Sequence, residues 1–316
     1  MKDRMNHLLI LSEEAPAYLD LLQAAKLTNL RITALSDTRL ARTKGAECNM
    51  VLGEPGLVHG LLPYMTNLEW VQSTWAGVEP CIQKNSHRDY QLTNVKGIFG
   101  AQMSEYVFCY ILMHEKLARV HHKLQQQKRW EQHFPGQLRG KTIGIMGVGS
   151  IGSHLAQTAR YFQMQTKGYT FSSTNCEFIE RYYHGEELVE FVSDLDYLVN
   201  TLPDTPQTTH LINDAVLRAM PPGAILINIG RGNVIEESAL IDALNQQTIA
   251  GAVLDVFAEE PLPEDHRLWQ TPNMTITAHI SVISYPEDVV PVFIDNYHRF
   301  SNGQDLKYSV DFERGY

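Results

Sequence analysis

The stretch KTIGIMGVGSIGSHLA at 141–156 runs from a buried-strand pattern through a glycine turn into a helix start. Gly147, Gly149 and Gly152 form G-x-G-x-x-G in the context that gives the pattern meaning, after a strand and opening a helix. The first glycine permits the tight turn, the second lets backbone approach a pyrophosphate, and the third lets helix pack on strand. Free N–H groups near Ser150 and Ile151 can then hold phosphates. This one segment points to a parallel α/β sheet with a dinucleotide at its carboxyl edge, ahead of the plainer reading of a glycine-rich turn that merely packs well.

The acid that would bond the ribose hydroxyls of NAD, roughly 20 residues further on, is missing. No Asp or Glu stands between Gly152 and Glu177, and Thr170 occupies its place. A 2′-phosphate would meet no repulsion there, and Ser172 and Ser173 could bond it, although no arginine stands beside them. The expectation is NAD or NADP, tilted toward NADP, with acceptance of both as the plainer alternative.

The rest of the chain agrees with a layered α/β class. Apolar runs at 8–11, 31–35, 49–52 and 68–71 alternate with helical patterns at 16–27 and 57–65. A second series from Lys141 to about Ser281 places strands at 142–146, 166–170, 196–202, 224–229, 249–254 and 274–278. Helices are expected at 213–220, 236–246 and 286–303, the last returning to the first domain. Residues 101–130 lack Gly and Pro and repeat apolar residues at helical spacing, which predicts one long helix joining domains or meeting a second subunit.

Composition excludes several classes. A formal net charge of −10 argues against a nucleic-acid or anionic-membrane surface as the main partner. Cys48, Cys81, Cys109 and Cys176 form no C-x-x-C pair, which favours free thiols over disulfides or zinc. The apolar run at 8–11 is too short for a signal-peptide core, so a cytoplasmic protein is expected. His114-Glu115 would need a histidine at 118 to form a zinc motif, and Ala118 stands there, so no metal is expected.

Three ionisable residues end successive strands: Arg231 after 224–229, Asp255 after 249–254 and His279 after 274–278. Ligands of open α/β sheets bind at that edge. Arg231 lies between Gly230 and Gly232, which read as leaving room for a substrate or cofactor, and its planar fork suits a carboxylate. Glu260 can pair with His279, fix its tautomer and raise its pKa, giving a proton donor near neutral pH. Taken singly, each has a plainer reading: a hydrogen-bonded strand-end histidine, a surface ion pair, an acidic turn before proline.

Together these segments resemble the D-isomer-specific 2-hydroxyacid dehydrogenases, and within them most the glyoxylate/hydroxypyruvate reductases. The resemblance rests on GVGSIG at 147–152, TLPDTPQTTHLI at 201–212, INIGRG at 227–232, LDVFAEEPLP at 254–263 and TAHIS at 277–281. STWAGVE at 73–79, GIFGAQMSEYV at 97–107 and NYHRFSNGQDL at 296–306 extend it. It implies two doubly wound parallel-sheet domains, with a Rossmann dinucleotide domain (99–283) inserted into a flavodoxin-like substrate domain (1–98 and 284–316). It implies reduction of a small 2-oxo acid, with catalytic Arg231, Glu260 and His279, and carboxylate binding at the amides of Ala76, Gly77 and Val78. Leu202, Pro203, Ile229, Gly230, Asp255 and Ser281 would line the cofactor, and Trp75 would narrow the pocket or simply pack between domains. It also implies a homodimer.

The residues after the histidine, Ile280, Ser281 and Val282, depart from the small residues often found there. A formate dehydrogenase reading is disfavoured because that branch places Gln where Glu260 stands. Two alternatives stay open. One is a non-catalytic NAD(H)-sensing regulator of the same fold. The other is a phosphoglycerate dehydrogenase-like enzyme, which would be expected to carry a regulatory domain after residue 316.

Overall fold

Parallel strands buried on both faces need continuous apolar runs and helical crossovers, and the chain meets both demands twice. The computed structural model describes residues 4–83 and 88–313; the outer ends of the expected substrate domain, 1–3 and 314–316, lie outside them. The chain divides into two compact units, Met1–Ile98 with Ser284–Tyr316, and Phe99–Ile283.

The first unit begins β1 (Asn6–Leu11), α1 (Ala15–Ala24), β2 (Leu30–Leu35), α2 (Thr38–Lys44), β3 (Met50–Gly53), α3 (Pro55–His59), β4 (Trp70–Ser73) and β5 (Gln91–Thr93). Its five strands are parallel in the order β2-β1-β3-β4-β5, the flavodoxin-like order. Asp37 starts α2 by accepting the Arg39 N–H. The helical pattern expected at 57–65 splits, because α3 stops at Gly60 and Pro63 opens a separate short 3₁₀ turn at Leu62–Tyr64.

The second unit contains α4 (Gly100–Glu115), α5 (Ala118–Gln126), β6 (Thr142–Met146), α6 (Ser150–Tyr161), β7 (Gln165–Tyr169), β8 (Arg181–Tyr183), α7 (Leu188–Val192) and β9 (Tyr197–Asn200). It continues with α8 (Asp214–Ala219), β10 (Ile225–Asn228), α9 (Glu237–Asn245), β11 (Gly251–Leu254) and β12 (Met274–Ile276). Its strands are parallel in the order β12-β11-β10-β9-β6-β7-β8. The order in which strands are added reverses between β6 and β9, the switch point at which such sheets bind ligands.

The single helix expected over 101–130 is two. α4 ends at Glu115, Leu117 takes a left-handed φ of 53°, and α5 follows. The cause is tertiary. The buried Glu115 carboxylate accepts the Tyr197 hydroxyl at 2.6 Å and pairs with Lys141 at 3.1 Å. The Glu115 carbonyl takes its N–H from Gly136, and the Lys116 ammonium bonds the Gly136 carbonyl. Returning chain therefore satisfies the end of α4 in place of a further helical turn.

The last helix, α10 (Pro286–Ser301), belongs to the first unit. Phe293 stacks on Trp70 at 5.1 Å between centroids, and both side chains are fully buried. Asn296 bonds Gln72 of β4, and the Val310 N–H bonds Leu92 of β5. Both ends of the chain thus share one core. Truncating Phe293 to alanine removes a buried ring from that core and is expected to cost about 3–5 kcal/mol, read as a lowered urea midpoint.

Candidate active site

The glycine turn has the shape its sequence suggests. Gly147 has φ +88°, and its N–H bonds the Tyr169 carbonyl at the end of β7. A Cβ at Gly152 would sit 2.2 Å from the Gly147 carbonyl oxygen, so only glycine lets α6 lie this close to the turn. A Cβ at Gly149 would meet nothing within 4 Å. Glycine at this N-cap leaves the first-turn N–H groups of α6, at Ser150 and Ile151, without a side-chain cap. An open cradle at an uncapped helix start fits a dinucleotide pyrophosphate.

Thr170, the position that counting assigns to the ribose partner, closes a local turn. It is buried, its hydroxyl donates to the Ser173 carbonyl at 2.6 Å, and its own carbonyl meets His184 Nδ1 at 2.9 Å. The turn after β7 instead exposes Phe171, Ser172 and Ser173.

The carboxyl ends of β9 and β10 carry two fully buried asparagines. Asn200 donates to Asn228 Oδ1 at 2.9 Å and accepts the Leu202 N–H. Asn228 accepts the Gly230 N–H and donates to the Arg231 carbonyl. This amide pair sets the direction of both exits, and Ile229 continues it by donating to the Asn200 carbonyl.

The glycines beside Arg231 make room for closely passing backbone. A Cβ at Gly230 would lie 2.7 Å from the Leu202 carbonyl oxygen, and one at Gly232 would lie 1.9 Å from the Phe257 carbonyl carbon. The half-buried Arg231 extends from this clamp, with Nη1 donating to the Gly230 carbonyl at 2.8 Å.

His279 and Glu260 meet. Nδ1 of the histidine lies 2.8 Å from Oε2 of the carboxylate, whose Oε1 accepts the Phe257 N–H. The hydrogen bond to Glu260 raises the His279 pKa; burial and Arg231 oppose this, while the charges of Glu260 and Asp255 reinforce it. Burial pushes the Glu260 pKa up, but the His279 bond, the Phe257 N–H and the charges of His279 and Arg231 outweigh it and hold it low. Arg231 therefore acts electrostatically on both members of the pair.

Asp255 is fully buried, and its carboxylate is already engaged: Oδ1 accepts from Thr277 Oγ1 and the Ile280 N–H, Oδ2 from the Ser281 N–H. It anchors the histidine segment, and the Ser281 N–H takes part in that anchoring. Trp75, Ala76, Gly77 and Val78 lie in the other unit, just after β4. There Ser73 Oγ donates to the Trp75 carbonyl, Asn94 holds the Ala76 carbonyl at 2.8 Å, and Trp75 is 50% exposed.

The family model for the D-isomer specific 2-hydroxyacid dehydrogenase NAD binding domain matches residues 108–281. The chain belongs to the D-isomer specific 2-hydroxyacid dehydrogenase family. It is similar to glyoxylate/hydroxypyruvate reductase A of Serratia proteamaculans (strain 568), at 32% identity over 82% of this chain and 85% of the relative. A family structure from Aeromonas salmonicida subsp. salmonicida A449 superposes with TM-score 0.95 at 40% identity, over 98% of this chain and 99% of that one. Another, from Xanthobacter autotrophicus Py2 in complex with NADPH and MES, gives TM-score 0.85 at 28% identity, over 99% and 100% of the two chains.

As a member of this NAD(P)-dependent dehydrogenase family, the chain holds its glycine turn with a residue that sequence reasoning passed over. Thr201 Oγ1, at the end of β9, donates to the Gly147 carbonyl at 2.6 Å. Asn200 and Asn228 were equally unsuspected, although each closes an otherwise apolar strand, YLVN and ILIN. The second and third glycines of the turn separate shape from binding. Gly149→Ala should leave the melting temperature nearly unchanged and weaken NADPH binding measured by fluorescence quenching. Gly152→Val should lower the melting temperature itself, because its Cβ collides with backbone.

Proposed function

We propose that this protein reduces a small 2-oxo acid of the glyoxylate or hydroxypyruvate kind to the D-2-hydroxy acid, using NADPH or NADH. The observation that carries the reading is the His279–Glu260 bond of 2.8 Å with the Arg231 charge acting on both groups. The similarity to a glyoxylate/hydroxypyruvate reductase supports the substrate class. A bound reduced nicotinamide supplies the hydride to C2 of the substrate.

The chain's own groups do the rest. Arg231 grips the substrate carboxylate and draws charge toward the 2-oxo oxygen. His279, protonated on both nitrogens, donates from Nε2 to that oxygen while Nδ1 stays on Glu260. Glu260 holds the ring's orientation and keeps the proton on it to higher pH. The amides of Ala76, Gly77 and Val78 take the carboxylate role that the resemblance implies, and Trp75 limits substrate size.

The absence of an acid between Gly152 and Glu177 favours tolerance of a 2′-phosphate, as does the NADPH-bound relative. We read the protein as a cytoplasmic homodimer. Among the described residues no helix is long and apolar enough to cross a membrane. Trp130 and Phe134, strongly exposed beyond α5, offer apolar surface to a second copy. The rival reading, a sensor of NAD(H), predicts cofactor binding without turnover.

A matrix of glyoxylate, hydroxypyruvate, pyruvate and bulkier 2-oxo acids against NADH and NADPH tests the reading. Turnover should be best with the two smallest polar acids, and its absence with every acid would overturn the enzyme. Arg231→Ala should lose at least ~100-fold in kcat/KM, the scale of one electrostatic contact to a transition state. The pH profile has a definite sign. Reduction needs protonated His279, whose pKa is raised, so the rate holds at low pH and falls as pH rises through that pKa. Glu260→Gln removes the largest raising influence and should move this alkaline limb to lower pH.

A further inference from the structure

We infer that α4 is the mount of the histidine segment, with Tyr106 and Gln102 as positioning residues that grip residues 277–283 at both ends. The inference rests on the proposed role of His279. Tyr106 and Gln102 are four residues apart on α4, so they share one face. The Tyr106 hydroxyl lies 2.6 Å from Thr277 Oγ1, and Thr277 Oγ1 donates to Asp255 Oδ1 at 2.5 Å. A carboxylate only accepts, so the Thr277 hydrogen points to Asp255 and the Tyr106 hydrogen points to Thr277. Burial pushes the Tyr106 pKa up, which keeps that hydrogen in place.

At the far end, Gln102 closes a two-bond clasp on the backbone of Ile283. Nε2 donates to the carbonyl and Oε1 accepts the N–H, each at 3.1 Å. Between these grips Asp255 holds the His279, Ile280 and Ser281 N–H groups, the first through its own carbonyl. The segment needs such holding because His279 has φ +52°, a conformation that a side-chain-bearing residue adopts at a cost. α4 is itself fixed on the nucleotide-binding helix α6. Ser104 bonds His154 Nδ1 at 2.8 Å, and a Cβ on Gly100 would lie 2.9 Å from the His154 ring. One helix therefore bears on both the glycine-turn helix and the proton donor.

The groups facing His279 are Glu260, Arg231 and Asp255, so a loosened segment shows first in the histidine's titration. The test compares Tyr106→Phe, Thr277→Val, Thr277→Ser and the Tyr106→Phe/Thr277→Val double variant. The first readout is the His279 titration, followed by NMR in the protein without cofactor or substrate. The second is kcat and KM in reduction.

Tyr106→Phe and Thr277→Val should move the titration down toward the ordinary histidine value and lower kcat by roughly 10- to 100-fold, with a smaller change in KM. Thr277→Ser should restore both. The double variant should match Thr277→Val, because Tyr106 acts through Thr277. The inference is overturned if the folded variants titrate and turn over as the parent does, or if Thr277→Ser is as impaired as Thr277→Val. Additive losses, or a Tyr106→Phe protein that does not fold, also overturn it by making the bond a plain folding contact. Full turnover in His279→Asn would sink the proposed function instead, and the titration of the Thr277 variants would still report whether the mount exists.

Discussion

One buried carboxylate organises the carboxyl edge of the second sheet. Asp255 has no exposure, and burying such a charge costs several kcal/mol unless donors surround it. Here a hydroxyl and two N–H groups do so, all from Thr277, Ile280 and Ser281. The electrostatic need of the aspartate thus becomes a geometric instruction to the chain after β12: it must turn back over the end of β11. His279 rides on that turn. The neighbouring exits follow the same logic with neutral groups, where Asn200 and Asn228 satisfy each other and then the turns to Leu202 and Arg231.

The strands were legible because both sheets are parallel and covered on two faces, which forces uninterrupted apolar runs. β1, β3, β4 and the central strands of the second sheet fall within about two residues of where such runs predict them. β5 and β8, three residues each, escaped because neither is long enough to show a pattern. The break after α4 was invisible for a different reason. Its sequence is helical throughout, and the forces that end it come from Tyr197, Lys141 and Gly136, remote in the chain.

At the site, residue type was legible and its local purpose less so. Arg231, Asp255 and His279 can be singled out because ionisable groups following apolar strands are costly without a task, and Glu260 because it can pair with His279. The flanking glycines suggest space for a ligand, and the close passage of Leu202 and Phe257 is a second demand on them that the sequence does not show. Thr170 matches the ribose position by counting, and its hydroxyl also closes a local turn, which counting does not show. Counting places a residue along a strand and says nothing of which bond its side chain will choose. Tyr106 and Gln102 carried no signal, since a tyrosine and a glutamine on a helix are ordinary until the segment they hold is known.

The His279–Glu260 pair is itself only half-buried. A pair so placed gains little from its own attraction, because water screens it and two side chains lose freedom. Its geometry must therefore be held by what lies behind it. A left-handed φ at a residue other than glycine costs about 1–2 kcal/mol, so His279 would relax if it could. Three consecutive N–H groups, at 279, 280 and 281, donate to Asp255, offset that cost and fix the course of the backbone that carries the imidazole. Glu260 is anchored by the Phe257 N–H, and the Phe257 backbone is pressed against Gly232. The clamp that aims Arg231 and the turn that carries Glu260 are thus one contact. A side chain placed at 232 would displace the guanidinium and the carboxylate together, which couples Arg231 to the Glu260–His279 pair through backbone alone.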